Sequence, residues 1–286
     1  MTSPALPPDP WQGQGPDPWM PARVRAQAEI SVGEKTIYDD YYARLAAWLA
    51  VAGQAVTSGV VPSPDSIFAL APQWVRSMTD FVHTSVAEMV GRTYLNIFGP
   101  GYVYDSRPFV VDYLARARNR LVDVPDQTYA LVTGQIAEGA LAGESISKIR
   151  DRVRETFDVT ATPYWRNRPT VVARTETMGA LNSGRLGAFR EVSFDLGEPF
   201  EKGWLATTTG RAAERTRPTH RAADIGTPVT GQRVPLSQPF IVGGFPAMTP
   251  GSPELPAHEA IQCRCTMIIL RPGEDTDLSN RQMAEL

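Results

Sequence analysis

The chain contains only two cysteines in 286 residues, Cys263 and Cys265, and they stand one residue apart. Residues i and i+2 of a β-strand face the same side, so a strand here would present two sulfurs together and turn Arg264 the other way. A disulfide across so short a span would strain the preferred geometry, which leaves a shared ligand or a packed thiol pair. There are three histidines. Cys263 and Cys265 with His220 and His258 would make a tetrahedral two-sulfur, two-nitrogen set, the chemistry of a structural zinc ion. The spacing is not that of a standard zinc finger, and a buried thiol pair with no cofactor is the simpler reading of the same residues.

Around His220 lies the densest run of positive charge, Arg211, Arg215, Arg217 and Arg221. Guanidinium groups in such a run suit DNA phosphates or a carboxylate-rich protein surface, although a solvated, ion-paired face would look the same. His220 with Glu176 or Glu259 and these arginines would also supply a general base and an anion clamp, as in nucleases or ADP-ribosyl transferases. The chain has no Gly-x-Ser-x-Gly elbow, no Walker loop and no His-Glu-x-x-His helix, so the sequence favours a non-enzymatic role.

These residues need a scaffold, and the composition provides for one. With 42% hydrophobic and 21% charged residues the chain can bury a sizeable core. A net charge of −3 argues against a protein that coats nucleic acid over its whole surface. No apolar run reaches the roughly 18 residues of a membrane span, and the first 20 residues lack the pattern of a secretion signal, so no membrane partner is expected. Two cysteines cannot build a disulfide framework, which fits assembly in a reducing compartment.

Along the chain, residues 1–30 carry seven prolines and read as an extended arm, with Trp11 and Trp19 either anchoring it on a partner surface or standing exposed on a disordered tail. Residues 31–160 follow helical periodicity. Ile37, Tyr41, Leu45 and Trp48 mark a first helix from Thr36 to about Val56, and Trp74 to Ile97 mark a second, roughly 40 Å long, from Pro72. Three shorter helices are predicted at Pro108–Leu121, Pro125–Leu141 and Ser145–Phe157, and a sixth from Pro169 to about Arg190. On that sixth helix Thr177, Ala180, Gly184 and Ala188 form a strip small enough for a second backbone to approach. Strands are predicted at Gly203–Thr209, Val234–Val242 and Cys263–Leu270, ahead of a flexible tail over 273–286. The expected class is α+β, a helical N-terminal half followed by a small α+β C-terminal unit with short strands.

Three signals in order then give a resemblance. They are Arg174-Thr175-Glu176 with Ala180, Asn182 and Gly184; Trp204 with Arg215-Thr216-Arg217-Pro218-Thr219-His220 and Gly226; and Pro239-Phe240, Gly243-Gly244, Pro250-Gly251, Glu259 and Cys263-Arg264-Cys265. This ordered set resembles the phage Mu F-like head morphogenesis family, minor capsid proteins of tailed phages, over roughly residues 140–270. The resemblance implies an α+β module over 161–272, with Arg174, Glu176, Asn182, Gly184, Trp204, Arg215, Arg217 and Glu259 as its framework. It also implies a helical region that docks to portal or scaffold, a place inside the virion capsid near the portal, and contact with packaged DNA. The family commonly has an acid two positions before the first arginine of the Arg-x-Arg-x-x-His pattern. Ala213 stands there instead, which counts against a shared catalytic acid.

Overall fold

A computed structural model describes residues 17–208 and 215–286 of the chain. It is α+β, as expected, with helices filling the N-terminal half and short strands confined to the C-terminal part.

Helix α1 spans Met20–Thr57, α2 Ser66–Phe81 and α3 Ala87–Phe98, the last two joined by a π-helical turn over Val82–Val86. The predicted 40 Å helix is therefore present but carries one widened turn, and Pro72 lies inside it rather than at its start. Helices α4 (Arg107–Leu121), α5 (Val124–Leu141) and α6 (Ile146–Thr156) fall close to their predicted places. Ser145 caps α6 by accepting a hydrogen bond from the Lys148 amide. The apolar rhythm of α1 meets that of α2 through Tyr41, Trp48, Trp74 and Phe81, whose rings pack edge to face at 5.7–6.0 Å. Each ring of this size contributes roughly 4 to 6 kcal/mol of gross transfer free energy.

Helix α7, Pro163–Leu196, is the spine of the molecule and packs along α1 and α3. Its small-residue strip is used as the sequence suggests. A Cβ on Gly184 would lie 3.1 Å from the Val90 backbone of α3, and one on Gly33 of α1 would lie 2.7 Å from Thr177. The helix stops at Gly197, whose left-handed φ of 66° provides a C-terminal cap.

Strand β1 (Glu201–Leu205) lies between β2 (Arg233–Pro235) and β5 (Thr266–Leu270) in an antiparallel sheet. A separate hairpin pairs β3 (Phe240–Val242) with β4 (Phe245–Ala247) through Gly243-Gly244, both at positive φ, as a two-residue turn of this hand requires. Two short helices complete the unit, α8 (Pro218–Ala223) and α9 (Ala257–Ala260).

Three expectations are corrected. The arm predicted over residues 1–30 is helical from Met20, and Trp19 is buried against Leu205, Ile268 and Leu270 (residues 1–16, with Trp11, lie outside the described residues). Six prolines precede Trp19 and hid the α-helical register that begins after Pro18. The tail over 273–286 is not free, because the Leu278 amide donates to Ile269 O at 2.7 Å and the Leu278 side chain is buried. No seam falls at residue 160, since α7 belongs both to the helical core and to the strand-bearing unit. Among the described residues, no helix is long and apolar enough to cross a membrane.

Candidate metal and anion site

The cysteines do not lie on the predicted strand. Gln262 adopts a left-handed φ of 57° after α9, its amide bonded to Thr175 Oγ1 of α7 at 3.1 Å, and ladder pairing begins only at Thr266 opposite Leu205. Cys263 and Cys265 thus sit in the extended lead-in to β5, where the alternation of side chains persists without a partner strand. Both are buried free thiols on one side of the chain, while Arg264 turns outward to a bidentate pair with Glu34 of α1 at 2.5 and 3.0 Å.

Facing the sulfurs is His220, carried by α8 and 1% exposed. Its Nδ1 lies 3.3 Å from Cys265 Sγ and 3.5 Å from Cys263 Sγ. Its Nε2 donates to Glu259 Oε2 at 2.9 Å, because a carboxylate oxygen can only accept there. Glu259 also accepts from the Thr219 hydroxyl at 3.0 Å and is capped by the glycine turn of the hairpin, where a Cβ on Gly243 would collide with Oε1. With the proton on Nε2, the Nδ1 lone pair is directed at the two sulfurs. Trp204 closes the other side, its ring edge-on to the imidazole at 5.3 Å and to Phe240 at 5.4 Å.

The thiols are electrostatically unequal. Cys263 is held well below the usual thiol range, chiefly by a hydrogen bond from Cys265. Burial pushes Cys265 well above that range, and the neighbouring Cys263 sulfur adds to the effect. The ligand atoms of His220, Cys263 and Cys265 all lie within 4.8 Å of one another, and this group could hold a metal ion. His258 is not part of it. Its side chain is largely exposed, its ring centre 5.9 Å from that of Phe245 and its Nε2 3.9 Å from Glu259 Oε1, so it approaches the carboxylate and not the sulfurs. The four-ligand set predicted from sequence is thereby reduced to three.

Above the sulfurs opens a cavity of about 350 Å³, lined in part by Arg174, Arg215, Arg217 and Arg264. Arg215 and Arg217 come from the predicted basic run. Arg221 does not line the cavity, and Arg211 lies outside the described residues. Arg217 donates to Ile261 O at 2.8 Å. Arg174 bonds Gln262 Oε1 at 3.2 Å, but its buried Nε has no acceptor. Its guanidinium is shifted down from the ordinary arginine range, first by burial and then by repulsion from Arg264 and Arg215.

The remaining framework residues serve as ties. Asn182 is fully buried and donates to Pro250 O (3.0 Å) and Cys265 O (3.2 Å), while its Oδ1 accepts from the Met267 amide and the Thr266 hydroxyl. Glu176 is buried in α7 and is not among the residues that line the cavity, and its carboxyl is pushed up to about 8 by burial. Several ties escaped the sequence reading. Arg23 makes a double ion pair with Asp224 at 2.8 and 2.9 Å, and Asp224 also accepts from the Ala206 amide. Arg185 reaches both Thr266 (2.7 Å) and Glu29 (2.8 Å). Only the alternation of charge along α1 hinted at these partners, and nothing in the sequence pairs one with another.

No family model, no curated protein and no solved structure matches the chain.

Proposed function

We propose that the protein is a minor head protein of a tailed phage, of the Mu F-like kind, that associates with the portal during procapsid assembly and remains inside the capsid. One observation carries this reading. The three ordered signals of the resemblance converge on a single buried unit, although residues that bond directly across it, such as Thr175 and Gln262, are 87 positions apart. Arg174 to Gly184 form its helix, Trp204 and His220 its core, and Glu259 to Cys265 the segment that closes it. The helical half then serves as the docking region for portal, scaffold or capsid subunits, and the arginines as the contact to packaged DNA. The test is quantitative mass spectrometry of virions of the encoding phage beside particles assembled without portal. A few copies per virion that vanish without portal support the reading. Absence from virions ends it and directs attention to the enzyme alternative, a nuclease or transferase working at the cavity over His220.

A second reading concerns the cofactor. Zn²⁺ with about 2.3 Å to sulfur and about 2.05 Å to nitrogen spaces tetrahedral sulfur and nitrogen ligands about 3.5 Å apart. The distances from His220 Nδ1 to the two sulfurs, 3.3 and 3.5 Å, fit that edge. The hydrogen bond from Nε2 to Glu259 supplies the outer carboxylate that metal-bound histidines generally have. Zinc held by Cys263, Cys265 and His220 would staple α8 to the lead-in of β5. Elemental analysis of protein purified without chelators tests this. One zinc per chain, absent from the Cys263→Ser, Cys265→Ser variant, supports it, and a metal-free wild type after incubation with zinc excludes it.

A further inference from the structure

The cavity above the thiol pair has an arrangement of charge that the fold itself does not satisfy. Elsewhere several buried or half-buried arginines are met by carboxylates: Arg23 by Asp224, Arg168 by Asp123, Arg185 by Glu29 and Arg233 by Glu201. Among the described residues, the cavity lining holds four arginines and no aspartate or glutamate. Glu34 neutralises Arg264. Glu259 lies 4.0 Å from Arg217 but is already engaged by His220 and Thr219. Among the described residues, neither Arg174 nor Arg215 forms an ion pair, and the buried Nε of Arg174 lacks any acceptor.

Like charges gathered in a concave, partly dehydrated space repel one another by more than they would on an open surface. A sequence under no demand for an anion there has an inexpensive remedy, a single acidic side chain, and none is present in the lining among the described residues. The geometry also speaks to the kind of anion. The arginines come from three separate segments, α7, the approach to α8 and the approach to β5, so their forks converge from different directions. A planar carboxylate is satisfied by one fork, whereas a tetrahedral phosphate offers oxygens to several at once. A volume of about 350 Å³ accommodates a phosphate with room for the group that bears it.

We propose that this cavity is a binding site for a phosphate group, held by Arg174, Arg215 and Arg217 over the His220, Cys263 and Cys265 floor. The site goes beyond the head-protein reading and does not depend on it. A small phosphorylated ligand and a nucleic-acid backbone share this chemistry.

The experiment is isothermal titration of the full chain with pyrophosphate and, separately, with a short single-stranded DNA oligonucleotide. Pyrophosphate binding is expected to weaken at least tenfold in Arg215→Gln and in Arg174→Gln, and to be unchanged in Arg107→Gln, an exposed side chain of α4 outside the lining. Arg215 is exposed, so its variant reports on binding without threatening the fold. Oligonucleotide binding that pyrophosphate displaces, and that the same two variants lose, identifies a nucleic-acid backbone as the source of the phosphate. Pyrophosphate binding with no such oligonucleotide binding identifies a small ligand. No pyrophosphate binding at millimolar concentration, or binding indifferent to both variants, overturns the proposal.

Discussion

The Nε2 atom of His220 donates to Glu259 Oε2 at 2.9 Å across 39 residues of sequence, and this one bond sets which ring nitrogen faces Cys263 and Cys265. The carboxylate is itself held by Thr219, the residue before the histidine, so α8 and α9 fix each other's side chains. A buried imidazole whose far side is anchored in this way presents its Nδ1 atom with little freedom to rotate.

Metal affinity is therefore expected to depend on Glu259 although it touches no sulfur. In competition with a chromophoric zinc chelator, Glu259→Gln should weaken zinc binding by about 10- to 100-fold, the usual effect of losing such a partner. His258→Ala should bind as the wild type does. Equal losses in both variants would contradict the three-ligand site.

The N-terminal part of α1 is bolted to the strand-bearing unit by Arg23 and Asp224, both almost completely buried. Arg23→Ala removes one partner and leaves a buried carboxylate to the amides of Ala206 and Gly226. Breaking such a pair costs about 3–5 kcal/mol. Urea unfolding should show a loss of that order, whereas an arm with no part in the fold would show none.

Two glycines in helices should respond in opposite directions to alanine. At Gly134 of α5 an added Cβ meets nothing within 4 Å, so Gly134→Ala should gain roughly 0.5–1 kcal/mol of stability from helix propensity. At Gly184 the same methyl would press on Val90 and Thr93 at 3.1 Å, and the Val90 atom is backbone. Gly184→Ala should destabilise by about 1–3 kcal/mol despite the better propensity. Thermal melts of the two variants side by side make the comparison.

Stability should vary with pH in two opposed limbs. Burial raises the Glu176 carboxyl from 4.5 to about 8, so the folded state holds a proton that the unfolded chain has lost between those values. This contribution is complete below about pH 4.5 and is lost as pH rises to about 8. Lys202 donates to Met248 O at 2.7 Å, and burial, with Arg190 nearby, lowers it from 10.5 to about 7. There the unfolded chain binds the extra proton, so stability rises from about pH 7 to 10.5. In chemical denaturation at several pH values, Glu176→Gln should flatten the acidic limb and Lys202→Met the alkaline one. Each difference should be on the order of a few kcal/mol. Variants that track the wild type at every pH would show that neither group is buried in the charged-disfavouring setting described.

Much of this protein was fixed by local sequence. The helices follow from apolar residues at steps of three and four, such as Tyr41, Leu45 and Trp48, and their ends from Ser145 and Gly197, because periodicity and capping act within a few residues. The α+β division, the small-residue strip on α7 and the association of His220 with the two cysteines were also legible. What the tertiary structure alone decided is which charges meet. Arg23 finds Asp224, Arg264 finds Glu34 and Asn182 finds the backbone at Cys265, each across more than 80 residues and between elements whose packing no local rule fixes. The same limit removed His258 from the candidate ligands and brought Arg174 to the cavity. Hydrogen bonds and ion pairs are short-ranged and directional, so their partners are chosen only after the apolar core has set the helices and strands in place.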